Sequence, residues 1–239
     1  MEHHPVRLGP GSKTATFGYG FMAVTSIAVA LWSLRYGGVA FDVWTAIDNG
    51  IRGVIAHVPL RALTHMLIAP IALLVGPLQF LPRFRAKHPQ VHRYMGRIYV
   101  TACVIAGMAA LATAPYASGG PVAGVGFGIL ATLWIATTLG GWRAAVRREL
   151  DQHRLFMRLS YAMTFSAVIL RLQIPIGFML GYTSYSAMSV WLAYTCWIPN
   201  IIAVLAYTAR ERARLRTVGF RGSARSISHP DRQTLRFTP

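Results

Sequence analysis

Charged residues, and acidic ones above all, are scarce in this chain of 239 residues. Only 13% of the residues are charged, whereas 54% are hydrophobic, and the mean hydropathy is +0.43. An ordinary soluble domain carries about twice that share of charged residues. The composition therefore argues against a soluble protein and predicts a protein that crosses a membrane several times.

Cysteine and the common catalytic motifs are also sparse. The two cysteines, Cys103 and Cys196, fall inside apolar runs and show no C-x-x-C spacing, so the sequence indicates neither a disulfide framework nor a zinc site. The chain lacks a phosphate-binding Walker loop, a nucleophile elbow, an H-E-x-x-H motif and a dinucleotide fingerprint. No soluble-enzyme chemistry is indicated, and whether the protein is an enzyme stays open at this stage.

Long apolar runs are, by contrast, numerous. Crossing a bilayer takes about 20 apolar residues in a helix, and six runs of this order occur, at residues 17–34, 60–81, 94–116, 122–146, 155–180 and 188–207. The length of the first run favours an uncleaved helix over a signal peptide. We predict an all-α bundle of six transmembrane helices over residues 15–209, preceded by a cytoplasmic segment, 1–14, and followed by a basic, disordered tail, 210–239.

The basic residues are distributed unevenly between the connections. The chain has 24 Lys and Arg against 7 Asp and Glu, a net charge of +17, and the predicted external side keeps only Arg35, Arg52 and Arg61. The positive-inside rule then predicts that both termini lie in the cytoplasm. The expected partners are the bilayer and its anionic lipid head groups. Nucleic acid is not expected, because few aromatic residues interleave the basic tail.

A cationic hexapeptide occurs twice, as HRYMGR at 92–97 and HRLFMR at 153–158. It predicts an inner polar layer made of His92, His153, Arg83, Arg93 and Arg97. Histidines from facing helices can be the axial ligands of one b-type haem, while arginines neutralise its propionates. The first hypothesis is therefore a membrane redox module. The same residues also fit interfacial anchors, or a site for an anionic lipid or a partner subunit.

Helical phase predicts a second, outer layer. His65 and Arg83 are 18 residues apart, as are His153 and Arg171, and about five turns of helix separate each pair. Because the two helices run in opposite directions, His65 and Arg171 come to the same depth, and Gln173 completes this layer. An arginine inside a bilayer is costly, so it marks a candidate functional site. Transport of a small anionic or protonatable solute between the layers is an alternative function, and a quinone is a further candidate partner.

The stretches GPLQFLPRFR, HRYMGRIYV and HRLFMRLSYAMTFSAVILRLQIP carry a resemblance. Together they resemble a family of uncharacterised, mostly bacterial multi-pass membrane proteins, classed as a domain of unknown function. The family pattern maps onto His65, Gln79, Phe80, Arg83, His92, Arg93, Gly96, Arg97, Tyr99, His153, Arg154, Met157, Ser160, Tyr161, Ala162 and Arg171. One departure is Leu159, where the family usually has arginine, since this chain carries the charge at Arg158. The resemblance implies a multi-pass protein of a bacterial inner membrane. It implies no activity, so the haem, lipid or partner, and transport hypotheses all remain.

Overall fold

The computed structural model describes residues 13–33, 55 and 57–227. Over these residues the chain forms α-helices and one 3-10 turn, and no β-strand occurs among them. The helices are α1 (Lys13–Ser33), α2 (Pro59–Gln79), α3 (Pro82–Lys87), α4 (Pro89–Thr113), α5 (Gly120–Val146), α6 (Leu150–Met179), α7 (Tyr185–Thr195) and α8 (Ile198–Ile227), with the 3-10 turn at Ala114–Tyr116. The all-helical prediction is confirmed for this part of the chain.

Five helical segments are long and apolar enough to cross a membrane. They are Pro59–Gln79, Pro89–Tyr116, Gly120–Val146, Leu150–Met179 and Tyr185–Arg216, and the apolar helix Phe17–Ser33 is shorter. Their outward-facing side chains include Leu60, 80% exposed, and Val146, 71% exposed. Large apolar side chains exposed in such numbers are typical of a lipid-facing surface rather than a water-facing one. These features agree with a polytopic bundle, while the sixth span and the orientation stay predictions.

The helix ends differ from the predicted spans where proline intervenes. Proline fits the first helical position because that residue needs no N–H, and Pro89 begins α4 early enough to include His92. Pro199 cannot continue an existing helix, and the last predicted span is divided between α7 and α8.

Helix α8 runs to Ile227, so residues 210–227 are helical where the sequence had indicated a disordered tail. Alanine, arginine and leucine, which are frequent there, are good helix formers. The rest of that tail, and most of the predicted N-terminal segment 1–14, lie outside the described residues.

Four helices form the centre of the bundle. Helices α2, α4, α5 and α6 pack against one another in that order, and α6 returns against α2. Helix α1 lies against α2 and α6, and α7 lies against α5 and α6. The pairs α4 with α6 and α2 with α5 are therefore the diagonals of a four-helix ring. This compact unit ends at Ile201, and the remainder of α8 belongs to a second unit.

Candidate functional site

A network of polar side chains fills the centre of the four-helix ring. The Tyr99 hydroxyl lies 2.9 Å from both Ser160 Oγ and Thr164 Oγ1. Ser160 Oγ lies 2.7 Å from Thr138 Oγ1, which donates to the Trp134 carbonyl oxygen at 2.7 Å. Trp134 Nε1 in turn donates to Thr164 Oγ1 at 2.9 Å. These five side chains, the central hydroxyl network, are all buried, and every hydroxyl has the partner that burial requires.

Helical periodicity explains how three helices supply this network. Trp134 and Thr138 are four residues apart on α5, and Ser160 and Thr164 are four apart on α6, so each pair shares one helix face. Tyr99 reaches them from α4 across the diagonal of the ring. The network therefore lies between the two ends of the bundle and links α4 to α6, the pair that face each other diagonally across the ring.

The first of these ends carries His92 and His153, on the diagonal helices α4 and α6. We call it the basic end. The Gly141 carbonyl oxygen can only accept, so His153 Nδ1–H donates to it, at 2.9 Å. This bond leaves Nε2 as the nitrogen free to bind a ligand. His92 is close enough to His153, Arg85 and Arg93 to interact with them electrostatically.

Two buried polar atoms at the basic end have no hydrogen-bond partner among the described residues. They are Nδ1 of His92 and Nε2 of Gln79. Gln79 lies beside the face of α4 that bears His92, since a β-carbon added at Gly96, one turn after His92, would come 3.7 Å from Gln79 Oε1. An unsatisfied buried polar group costs about 1–3 kcal/mol. The two atoms thus mark a position where another polar group would fit.

The three arginines predicted for this layer, Arg83, Arg93 and Arg97, are exposed. They lie on α3 and α4 at the same end as His92, but their charges face outward rather than into the ring.

Over the described part of the chain, no group of three or more His, Cys, Asp or Glu side chains is placed to hold a metal ion. A bare ion such as zinc usually takes four ligands, whereas a haem iron needs only axial ones from the protein.

The opposite end contains a cavity of about 290 Å³. We call this end of the bundle the cavity end. Helices α1, α2, α4, α5 and α6 all contribute to its walls, which are mostly aliphatic and small side chains. The polar side chains in its lining include Ser33, His65, Trp134, Thr164, Ser166 and Arg171. Trp134 and Thr164 also belong to the central hydroxyl network, which therefore closes this cavity toward the middle of the bundle.

His65 is held in place at the cavity wall by two contacts. Its Nδ1–H donates to the Ala106 carbonyl oxygen at 3.0 Å, and its ring meets Trp134 edge to face, with centroids 6.4 Å apart. Because Nδ1 is occupied by a carbonyl of α4, the other nitrogen, Nε2, is the one that a bound molecule would meet. His65 also lies within electrostatic range of Arg171.

Arg171 and Gln173, which the sequence placed in one layer, face different surroundings. Arg171 lines the cavity, and its guanidinium donates to the Ala167 carbonyl oxygen at 2.9 Å and to Ser33 Oγ at 3.2 Å. Gln173 does not line the cavity. Its side chain instead pairs with Thr195 of α7, to which Nε2 donates at 3.5 Å and from which Oε1 accepts at 3.3 Å.

Residues 62–207 match the protein family described as "Predicted membrane protein (DUF2306)", over more than half of the chain. The chain belongs to this family. The resemblance to a multi-pass membrane family of unknown function is thereby confirmed. No curated protein and no solved structure matches the chain. The matched segment includes all four of His65, His92, His153 and Arg171, whereas Ser33 lies before it.

Sequence reasoning missed several residues of these sites, among them Trp134, Thr138 and Ser33. One signal could have found the first two. Tryptophan in membrane helices is usually found at the interface, but Trp134 lies in the middle of α5, and Thr138 follows one turn later. For Ser33, the only sequence signal is a hydroxyl at the end of an apolar run, which is too common to be informative.

Proposed function

We propose that this membrane protein binds one b-type haem at its basic end, with His92 and His153 as the axial ligands, and acts as a membrane redox module. The observation that supports this most directly is the placement of the two histidines. They lie at the same end of a four-helix ring, on diagonal helices, within electrostatic range of each other. Cofactors in helical bundles are commonly held by side chains that project inward from facing helices.

The local chemistry fits this cofactor. A ligating histidine typically donates its second ring N–H to a carbonyl or carboxylate, which fixes the ring and makes the ligand more basic, and His153 has this arrangement through Gly141. The unpartnered atoms of His92 and Gln79 lie where a bound group could complete their hydrogen bonds. The exposed arginines nearby supply the positive charge that propionates prefer. When bound, the haem would provide one-electron chemistry.

The proposal is for one haem because the cavity end is built differently. There the histidine is His65 on α2, and across the ring it faces Trp134 of α5 rather than a second histidine. A second bis-histidine site is therefore not part of the proposal. We further propose that Phe17–Ser33 is the sixth span and that the basic end faces the cytoplasm of a bacterial cell. The arginine-rich connections at that end support this orientation.

The test of the haem proposal is the visible spectrum of the detergent-purified protein, recorded as reduced minus oxidised. We expect an α-band with about one haem per chain, and its loss in His92→Ala and in His153→Ala. The matched control is His65→Ala, at the opposite end, which should keep the band. A protein that stays colourless after expression with added haem and reconstitution in vitro would contradict the proposal. So would a band that survives both substitutions at the basic end.

A second candidate function, the binding of an anionic lipid head group at the basic end, is favoured by one observation. The unpartnered nitrogen of Gln79 can only donate, so it calls for an acceptor such as a phosphate oxygen. Arg83, Arg93 and Arg97 lie at the same end of the bundle. In this case the protein would be colourless, and replacing the arginines with glutamine would weaken binding to vesicles containing phosphatidylglycerol more than replacing either histidine would.

A further inference from the structure

We infer that the cavity at the cavity end is a second binding site, which takes a small molecule with an apolar body and one head group of hydrogen-bond-accepting oxygens. Carboxylates and quinones share this chemistry. The inference is independent of the haem proposal, because it concerns the opposite end of the ring and different side chains. Three features of the cavity carry it: its size and lining, the side chains of His65 and Arg171, and the contacts that hold those two side chains in place.

The size and the lining select a compact, mostly apolar molecule. Binding pockets for small molecules usually have volumes of about 300–1,000 Å³, and this cavity, at about 290 Å³, is at the lower end of that range. Aliphatic side chains such as Met66, Leu73, Leu130 and Ile174 contribute much of the wall. Burial of apolar surface against them favours a hydrocarbon or ring body.

His65 and Arg171 select the head group. Both line the same cavity: the Arg171 guanidinium donates hydrogen bonds to oxygen, whereas His65, whose Nδ1–H is taken by the Ala106 carbonyl, presents Nε2 as an acceptor for the proton of an acidic head group. A guanidinium keeps its charge at any physiological pH, and in surroundings of low dielectric constant a fixed positive charge strongly favours an anion or an electron-rich oxygen. An amine head group would be repelled for the same reason. The expected ligand is therefore an acid or a carbonyl compound and not an organic cation.

Both side chains are oriented before any ligand arrives. His65 is fixed by the Ala106 carbonyl and the Trp134 ring, and Arg171 by Ser33 and the Ala167 carbonyl. Pre-organised polar groups lower the entropy cost of binding. By contrast, the indole N–H of Trp134 already donates within the central hydroxyl network, so that residue shapes the cavity and does not hold the head group.

The experiment measures the thermal unfolding midpoint of the purified protein against three probes of similar size. Octanoate and duroquinone carry acceptor oxygens, while octylamine carries a positive charge. We expect octanoate, duroquinone or both to raise the midpoint with increasing concentration, as ligands of the folded state do, and octylamine to leave it unchanged. Stabilisation by octanoate alone would identify a carboxylate site, and by duroquinone alone a quinone site.

Substitutions then test whether the probes that stabilise the protein bind in this cavity. Arg171→Gln should weaken the affinity about tenfold or more, which is the usual effect of losing a charge-assisted hydrogen bond, and Arg171→Lys should restore part of it. His65→Leu should also weaken the affinity, because leucine offers no acceptor in place of Nε2. Ala110→Phe should weaken it by filling the cavity without altering either polar group. The matched control is Gln173→Leu, on the same helix as Arg171 but outside the cavity, which should have no effect.

Three results would overturn the inference. They are the absence of stabilisation by octanoate and by duroquinone, equal stabilisation by octylamine, and an affinity unchanged in both His65→Leu and Ala110→Phe. If Arg171→Gln fails to fold, those two variants decide the question without it. Because His65 takes no part in the proposed haem site, loss of probe binding and loss of the α-band are separate outcomes.

Discussion

Replacing Gly76 with alanine should destabilise the bundle, because a tyrosine ring lies where the new methyl group would go. Gly76 lies in the last turn of α2, and an added β-carbon would overlap Cε2 and Cδ2 of Tyr161, with Cζ at 3.2 Å. The ring cannot move away easily. Its hydroxyl is 2.9 Å from Ser26 Oγ, in a buried hydrogen bond, and its face packs against Phe80 with ring centroids 5.3 Å apart.

The size of the effect follows from three contributions. Overpacking a well-filled core by one carbon costs about 1–3 kcal/mol. Displacing Tyr161 enough to break its bond to Ser26 costs about another 1 kcal/mol. Alanine is a better helix former than glycine by about 1 kcal/mol, which offsets part of this. We therefore expect Gly76→Ala to lower the free energy of unfolding by about 1–3 kcal/mol.

The assay is reversible denaturation in mixed micelles, with Gly128→Ala as the matched control. Gly128 is also inside a long apolar helix, but an added β-carbon there would meet only Ala114 Cβ, at the ordinary contact distance of 3.8 Å. The control should be neutral or up to about 1 kcal/mol more stable. In a Tyr161→Ala background the penalty of Gly76→Ala should disappear. Equal effects of the two glycine substitutions would refute this reasoning.

Two further predictions concern the central hydroxyl network and the orientation. Tyr99→Phe removes the hydroxyl shared by Ser160 and Thr164 and should lower the free energy of unfolding by about 1–3 kcal/mol in the same assay; an unchanged value would mean that the network contributes nothing to stability. In a variant without native cysteines, an impermeant thiol reagent added to intact cells should label a cysteine at Ser118 but not one at Ser223. Labelling at Ser223 alone would reverse the proposed orientation.

Much of the fold was predictable because a membrane helix must be both long and apolar. The runs at 60–81, 122–146 and 155–180 each correspond to a helix of the ring. The ends were less predictable, since hydropathy averages over a window, whereas a single residue determines where a helix begins or ends. Pro89 places His92 inside α4, and Pro199 divides the last span, and neither effect changes the mean hydropathy of its run.

The residues of the sites were predictable only where the position of a side chain depends on the phase and direction of its own helix. Helical phase and direction placed His65 and Arg171 at one depth, and in the structure both line the same cavity. The same reasoning grouped Gln173 with Arg171, yet two residues correspond to a rotation of about 200°, so Gln173 faces α7. The partners of Tyr99 could not be derived from periodicity, because they depend on which helices lie across the ring.

The central hydroxyl network has a consequence for permeation. A solute moving along the axis of the ring would have to separate Tyr99 from Ser160 and Thr164, and Ser160 from Thr138, with no bulk water to replace those bonds. Thr138 and Thr164 would keep their bonds to Trp134, so the two hydroxyls of Tyr99 and Ser160, left unsatisfied at about 1–3 kcal/mol each, would raise the barrier by roughly 2–6 kcal/mol. At 1.36 kcal/mol per factor of ten, this slows passage by roughly one to four orders of magnitude. The network therefore acts as a barrier to permeation between the cavity end and the basic end of the ring.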